Sequence, residues 1–379
     1  MPLDLFLDST LGQGFVKVPG DARSYRAGLL GPEPERVILE AFADLAPHIG
    51  SHAAEPRGPA PVVEAVADMG AFKAKVEAFQ ALGYTVRVPQ PRWLSPGLGE
   101  FLAALEFLLH KPATAEAFWS RGDAKAPVHH DNYDIIVVQL RGRKRWFIST
   151  DRSELQNDWE SVPKGPPILE RYAEVEVGPG DLLYIPRGTQ HRVDALADSL
   201  HLSIGFVPLT VREAVIAVLD HLSDLDRPFR ESVGQRLASS VRKNDFGNLS
   251  PKIRDGVARL LAVCRSDDFV AEAMQRRSSR TIKNLKPTSA PKAGGAISVD
   301  TVVQQGPSAI CHMMANADKI DFSHPGGHIY IHRGVEESLK FVAETPRFRV
   351  SDLPGAIGDD VRVALVEKLI TAGFLDVVA

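Results

Sequence analysis

Apolar positions along this chain change their spacing three times. Up to about residue 110 helical spacing dominates: Glu35 to Leu45 (ERVILEAFADL) and Ala71 to Leu82 place apolar residues every third or fourth position, and Pro96 opens a further helix through about His110. Between these, Ser51 to Pro61 (SHAAEPRGPAP) reads as a loop of turn-formers, and Tyr84 to Val88 as a strand closed by prolines. From Phe118 to Phe206 the pattern becomes that of strands. IIVVQL, KRWFIS, AEVEV, LLYIP, HRVDAL and LHLSIGF follow one another between Gly, Pro and Asp, which predicts a sandwich or a barrel. Helical spacing returns over Leu209 to Leu225, Ser232 to Val241 and Pro251 to Arg276. Asn284 to Ile297 (NLKPTSAPKAGGAI) has the Pro, Ala, Gly and Lys content of a linker. Beyond it HIYIHR reads as a strand, VEESLKFVAE and DDVRVALVEKLITAG as helices, the second capped at Gly373, and FLDVV as a closing strand. That order suggests a winged-helix arrangement. The expected class is α+β, with a catalytic domain over 1–207 (barrel core about 84–207), a helical domain over 208–283, a linker over 284–297 and a winged-helix-like domain over 298–379.

Composition narrows the function classes. A chain of 379 residues, 44% of them hydrophobic, can bury a sizeable core. A formal charge of −4 gives no global field for nucleic acid or anionic membrane. Two cysteines, Cys264 and Cys311, make no disulfide framework and have no zinc-site surroundings, so a reduced compartment is expected. The start MPLDLFLDSTLGQ lacks the order of a secretory signal, and no apolar run approaches the ~20 residues of a membrane span. A cytoplasmic location, with no membrane and no DNA among the partners, is the expectation.

The chemistry is carried by two separated segments. PVHHDNYDIIVVQLRGRKRWFI contains His129, His130 and Asp131; GPGDLLYIPRGTQHRV ends near His191. On a strand, residues two apart share a face, so His129 and Asp131 are expected to point into a barrel while His130 points out. The same parity sets Tyr133, Ile135, Val137 and Gln139 inward. The Gly180-Asp181 turn, the strand LLYIP, and the reversal forced by Pro186 and Gly188 then deliver His191 to an adjacent strand. Two histidines and a carboxylate are the ligand set of non-haem Fe(II) sites that leave the opposite positions open. Singly, His191 reads better as an ordinary strand-end histidine and HHD as a surface turn; together they point to an iron-dependent oxygenase.

With those residues, PVHHDNYDIIVVQLRGRKRWFI and VGPGDLLYIPRGTQHRV…SLHLSIGF, the chain resembles the cupin-like JmjC oxygenases of the ribosomal oxygenase branch. The similarity covers Tyr84 to Phe206, including TVRVPQPRWLSPGLGEFLAALEFL; at the N-terminus LDSTLGQGFVKVPG replaces the family's Trp-x-Lys-Lys-Pro-like entry. The resemblance implies a double-stranded β-helix (cupin/JmjC barrel) with helical additions and a C-terminal winged helix. It implies Fe(II) held by His129, Asp131 and His191 as catalytic metal ligands, 2-oxoglutarate as cosubstrate, and homodimerisation through the helical block. Fifteen residues beyond the first ligand, where the family puts the cation for the far carboxylate, stands Lys144. Strand parity places it with Trp146 and Ile148, where an unpaired charge is costly unless an anion meets it. His201 and Ser203, alternating along LHLSIGF, and Ser120, ending AFWS, are further candidates near the cosubstrate; His201 reads equally well as a hydrogen-bonded core histidine. Tyr133 is placed at the mouth, against cosubstrate or substrate, and Asp134 as a loop or supporting acid.

Other features are weaker. His324, His328 and His332 in HPGGHIYIHR read as a plain hairpin. The basic run Arg276 to Lys286 reads as a solvated helix end. Residues 334–379 carry five Lys/Arg against eight Asp/Glu, a net of −3 that opposes phosphate binding. The expected function is hydroxylation of a protein or peptide side chain, with a ribosomal-protein Arg or His the leading guess. The rivals are an oxygenase acting on a small peptide, a free amino acid or a methylated residue, and a non-catalytic cupin-like binding module.

Overall fold

A computed structural model describes residue 6 and residues 9–89, 91–109, 111–153, 155, 168–232, 249–285, 296–306 and 309–378. The helix expected over Ser232 to Val241 and nearly all of the expected linker lie outside these residues. The chain divides into two compact units, Met1–Pro208 and Leu209–Ala379.

The first unit is built on an antiparallel seven-stranded sheet. Its strands are β1 (Val16–Val18), β2 (Gly50–His52), β3 (Thr85–Pro89), β4 (Ala113–Ser120), β5 (Asp134–Arg141), β8 (Leu182–Ile185) and β10 (Ser199–Phe206), in the order β1-β8-β5-β10-β4-β3-β2. A smaller sheet, β7-β6-β9, holds β6 (Lys144–Ser149), β7 (Tyr172–Val177) and β9 (His191–Ala195). Helices α1 (Pro34–Glu40), α2 (Phe42–Leu45), α3 (Met69–Ala81) and α4 (Pro96–Leu109) belong to the same unit.

β5 shows how its sequence produces this layering. Ile136, Val138 and Leu140 join the core that contains Ile38, Phe72, Phe79 and Leu102 of the helices. Ile135 and Val137 face the other way, into a cluster with Trp146, Ile148 and Val193 of the smaller sheet. A strand buried on both faces must be apolar without alternation, and that is why DIIVVQL is a continuous run. The Gly180-Asp181 turn ties the first strand to the barrel: Asp181 accepts from the N–H groups of Gly20 and Gly178, each at 2.9 Å, and pairs with Lys17 at 2.8 Å.

The second unit carries α5 (Val211–Leu225), α6 (Ser250–Val263) and α7 (Asp267–Asn284), so the single helical stretch expected over Pro251 to Arg276 is two helices. The break falls at Cys264–Ser266, where the Ser266 hydroxyl caps α7 by accepting from Phe269 N–H. α5 opens with a capping box between Thr210 and Glu213. Two three-stranded sheets follow, β15-β11-β16 and β12-β13-β14: β11 (Val302–Gln305), β12 (His312–Ala315), β13 (Lys319–His324), β14 (Gly327–His332), β15 (Arg347–Arg349) and β16 (Leu375–Val377). With them are α8 (Glu336–Glu344) and α9 (Asp359–Thr371). Four of these strands were not expected from the sequence: β11, β12 and β15 are only three or four residues long, whereas β13 (KIDFSH) does alternate polar and apolar residues and could have been found. The basic run is also more ordered than a solvated helix end, because Arg276, Arg277 and Arg280 pair with Asp224, Glu213 and Asp220 of α5, and Lys283 with Asp321. No helix among the described residues is long and apolar enough to cross a membrane.

Candidate metal and cosubstrate site

His129, Asp131 and His191 converge: one ligand atom from each lies within 4.8 Å of the other two, and this is the one such group found among the described residues. The route to that convergence corrects the parity argument. β5 begins only at Asp134, so His129 and Asp131 are not on a continuous strand. His129 is instead held by a two-way backbone bridge to His191, N–H to carbonyl in both directions at 3.0 and 2.8 Å. Asp131 sits in the following loop, and its carbonyl accepts from Gly188 N–H at 2.8 Å. Inward parity holds from Ile135 onward.

Local chemistry prepares the three side chains. The Nδ1 of His129 meets the Pro127 carbonyl at 2.9 Å, and the Nδ1 of His191 meets the Thr189 carbonyl at 3.0 Å. Each Nδ1 must then carry the proton, which leaves the Nε2 lone pair for a metal, the arrangement that orients most ligating imidazoles. The His191 Nε2 is 3.7 Å from Asp131 Oδ2. Burial lowers the His191 pKa to about 3, keeping the ring neutral as a ligand must be. Burial also raises the Asp131 carboxyl, against the lowering influence of His129 and His130. His130 lies outside this group, with its Nδ1 buried and without a hydrogen-bond partner among the described residues.

The turn that presents His191 has its own anchor. Asp134, almost fully buried, accepts from the Tyr184 hydroxyl and from Arg187 N–H at 3.2 Å. Gly12 N–H in turn donates to Tyr184 Oη at 2.7 Å. Asp134 is therefore a supporting acid at the start of a strand, and its partners fix the Pro186–Gly188 reversal.

A cavity of about 370 Å³ contains the three ligands and every other residue singled out from the sequence: Ser120, Tyr133, Lys144, His201 and Ser203. Tyr133 stands at its edge, 53% exposed. Lys144 is at its depth, only 2% exposed, and its ammonium donates to Ser120 Oγ at 2.7 Å. Ser120 Oγ is also 2.9 Å from Thr85 Oγ1. Among the described residues no carboxylate pairs with Lys144, and burial brings its pKa down to about 7. His201 stacks on Phe118 (centroids 5.0 Å apart, planes 12° apart), and burial, with Lys144 and His52 nearby, holds its pKa well below the usual value. Its Nδ1 and the Trp146 Nε1 are buried with no hydrogen-bond partner. A buried cation and two orphaned polar atoms around one cavity are what a polar anionic ligand would satisfy.

Among the lining residues that sequence reasoning missed are His52, Arg87, Glu116 and Phe118. Glu116 and Phe118 were within reach, since inward parity from Ser120 along β4 selects Phe118, Glu116 and Thr114. His52 was hidden inside a stretch of turn-formers, on a strand of three residues. The His324, His328 and His332 group forms no metal cluster: His328 bonds to Asp321 at 2.9 Å and His332 accepts from Gly334 N–H.

The antiparallel sheets of this unit agree with a cupin-type fold, and residues 104–214 match the family model of the JmjC domain. The chain carries a JmjC domain and is homologous to the ribosomal oxygenases. Ribosomal oxygenase 1 of Rattus norvegicus is 24% identical over 320 residues, covering 73% of this chain and 51% of the relative. The chain spans about half the length of the curated relatives it matches. Among solved structures, the Escherichia coli ribosomal oxygenase YcfD superposes with a TM-score of 0.54 at 17% identity, covering 100% of this chain and 98% of the other. The same Escherichia coli protein in complex with cobalt and 2-oxoglutarate also gives 0.54 at 17% identity, covering 99% and 97%.

Proposed function

We propose that this chain is an Fe(II)- and 2-oxoglutarate-dependent oxygenase that hydroxylates a side chain of a protein or peptide, with a ribosomal-protein Arg or His as the leading acceptor. The observation that carries the reading is the joint presence, in one cavity, of the His129–Asp131–His191 group and a buried, carboxylate-free Lys144. His129, Asp131 and His191 would hold the metal through two neutral imidazoles and one carboxylate. Lys144 would take the far carboxylate of 2-oxoglutarate, with Ser120 holding the ammonium in place. His201 and Ser203 would offer polar contacts along the cosubstrate, and Tyr133 would meet the acceptor at the mouth. Fe(II), when bound, supplies the oxidative decarboxylation of 2-oxoglutarate that is coupled to insertion of one oxygen atom into a C–H bond. The protein contributes neutral ligands, a cation for the cosubstrate, and walls that exclude bulk water.

The pairing of a ligand triad with a buried lysine disfavours the binding-module alternative, because a pure binder needs neither. Purified protein supplied with Fe(II), ascorbate and 2-oxoglutarate is expected to form succinate, faster with an acceptor peptide; no succinate under any peptide would overturn the reading.

Two further elements of the proposal concern the second unit. Its helical block, residues 208–283, would mediate homodimerisation: α6 buries none of its residues, and Ile253, Val257 and Leu261 stand exposed one turn apart along it. Residues 298–379 would form a winged-helix-like part, whose net negative helical end argues against DNA as a partner. A cytoplasmic location accords with two free cysteines.

A further inference from the structure

The second unit holds a cavity that the chemistry proposed above leaves unused. It lies between α5 and α7, measures about 460 Å³, and shares no residue with the metal cavity. One wall is acidic: Glu213, Asp220 and Asp224 recur at helical spacing along one face of α5. The other is basic: Arg276, Arg277 and Arg280 do the same along α7. Ala217 on the first helix and Ala273 on the second are the small residues that leave room between the walls.

The walls face each other without closing. Arg277 Nη2 stands 3.9 Å from Glu213 Oε1, Arg280 Nη1 3.6 Å from Asp220 Oδ2, and Arg276 Nη1 3.6 Å from Asp224 Oδ2. A closed charge-assisted bond is about 2.7–2.9 Å long. One turn further along the same helix Lys283 makes one, at 2.9 Å to Asp321. Arg276 leans partly on Glu272 of its own helix, at 3.4 Å.

His221 completes the lining, and it is only 2% exposed. Neither of its ring nitrogens has a hydrogen-bond partner among the described residues. The Glu272 carboxylate stays 3.6 Å from Nε2, and the Phe269 ring packs against the imidazole with centroids 4.5 Å apart. A buried polar group left without partners costs stability and calls for an explanation. In its neutral form an imidazole offers one donor and one acceptor, so a group that both accepts and donates would answer it.

We propose that this cavity binds a small zwitterion, an α-amino acid with a neutral polar side chain. Its carboxylate meets the guanidiniums of α7, its ammonium meets the carboxylates of α5, and its hydroxyl or carboxamide bonds to His221. A simple anion would be drawn by one wall and repelled by the other, and a simple cation likewise; a dipolar ligand is favoured by both. Asp220 and Arg280 are both mostly exposed, and an exposed ion pair contributes little, so turning them onto a ligand loses little.

The experiment titrates the full chain with L-glutamine, L-asparagine, L-serine and L-threonine by calorimetry. The tightest of the four is then compared with its desamino analogue, its decarboxylated analogue and L-alanine. The expected result is one molecule per chain, with each of the three truncations weakening binding by about tenfold. R280Q and D220N alter only exposed side chains of the two walls, and each should weaken the intact amino acid by a similar factor. H221F should erase the preference over L-alanine and melt no lower than the parent, because it replaces an orphaned polar ring by an apolar one of similar shape. Binding of none of the four would leave water as the partner of His221 and overturn the assignment. So would a desamino or decarboxylated analogue that binds as tightly as the amino acid, or an affinity that survives in both R280Q and D220N.

Discussion

A lysine ammonium sealed inside a barrel with a serine hydroxyl as its neighbour weakens the empty protein until an anion arrives. The balance can be read from pH. In the unfolded chain a lysine keeps its ordinary value near 10.4, whereas burial brings Lys144 to about 7 in the fold. The unfolded chain therefore binds this proton more tightly, so stability of the ligand-free protein is lost as pH falls from the unfolded value, and the loss is complete below about 7. K144M is expected to melt no lower than the parent, with any gain largest below neutrality, and to lose the thermal shift caused by 2-oxoglutarate. A lower melting temperature together with a retained shift would contradict the cosubstrate role. The same sign predicts that affinity for 2-oxoglutarate weakens as pH rises above about 7, because the empty site must take up a proton to receive a dianion. K144R, which stays charged, should flatten that dependence, and a parent whose affinity is already flat with pH would refute the argument. At this scale the convergence of His129, Asp131 and His191 was legible because their types and turn residues are unusual together. Glu116 was not, because a glutamate on a strand ordinarily reads as a solvated position until its neighbours are known.

The turn between β8 and β9 is the element on which the candidate metal site depends. Asp134 offers both carboxylate oxygens, to Tyr184 and to Arg187 N–H, and the loop holding Asp131 closes onto Gly188. D134N keeps the shape and turns one acceptor into a donor. It is expected to destabilise the fold by about 1–3 kcal/mol and to weaken metal binding by about tenfold or more. Unchanged Mn(II) affinity in a destabilised D134N would show that the network supports the fold alone. Strands with a clear apolar run or alternation, such as β5 and β6, were legible within a residue or two. The entry of His129 was misplaced onto a strand because a single backbone bridge leaves no periodic signal. On α6 the stripe Ile253, Val257 and Leu261 repeats every fourth residue and stands exposed among the described residues. V257D should lower the molecular mass seen by light scattering from dimer to monomer; a parent that is already monomeric would remove the dimer from the account.

Across the whole molecule, one unit gathers the chemistry. The long-range contacts that build its cavity join β4, β5, β6, β9 and β10, pairing residues as far apart in the chain as Ala113 and Phe206. The first compact unit runs Met1–Pro208; sequence patterning expects a change of period near 207, where strand spacing gives way to a helical one. It was less informative beyond, where short strands such as β11 and β15 pair only with each other and with β16 and depend on tertiary partners. The central claim is that His129, Asp131 and His191 hold one metal ion facing a cosubstrate anchored by Lys144. Anaerobic titration of the full chain with Fe(II) and then 2-oxoglutarate, followed by visible absorption, tests it most directly. The account predicts one Fe(II) per chain and a charge-transfer band that appears only when both are present, with Fe(II) lost in H129A and H191A while unfolding stays cooperative. Stoichiometric Fe(II) retained in both variants, or no band in the parent, would contradict it.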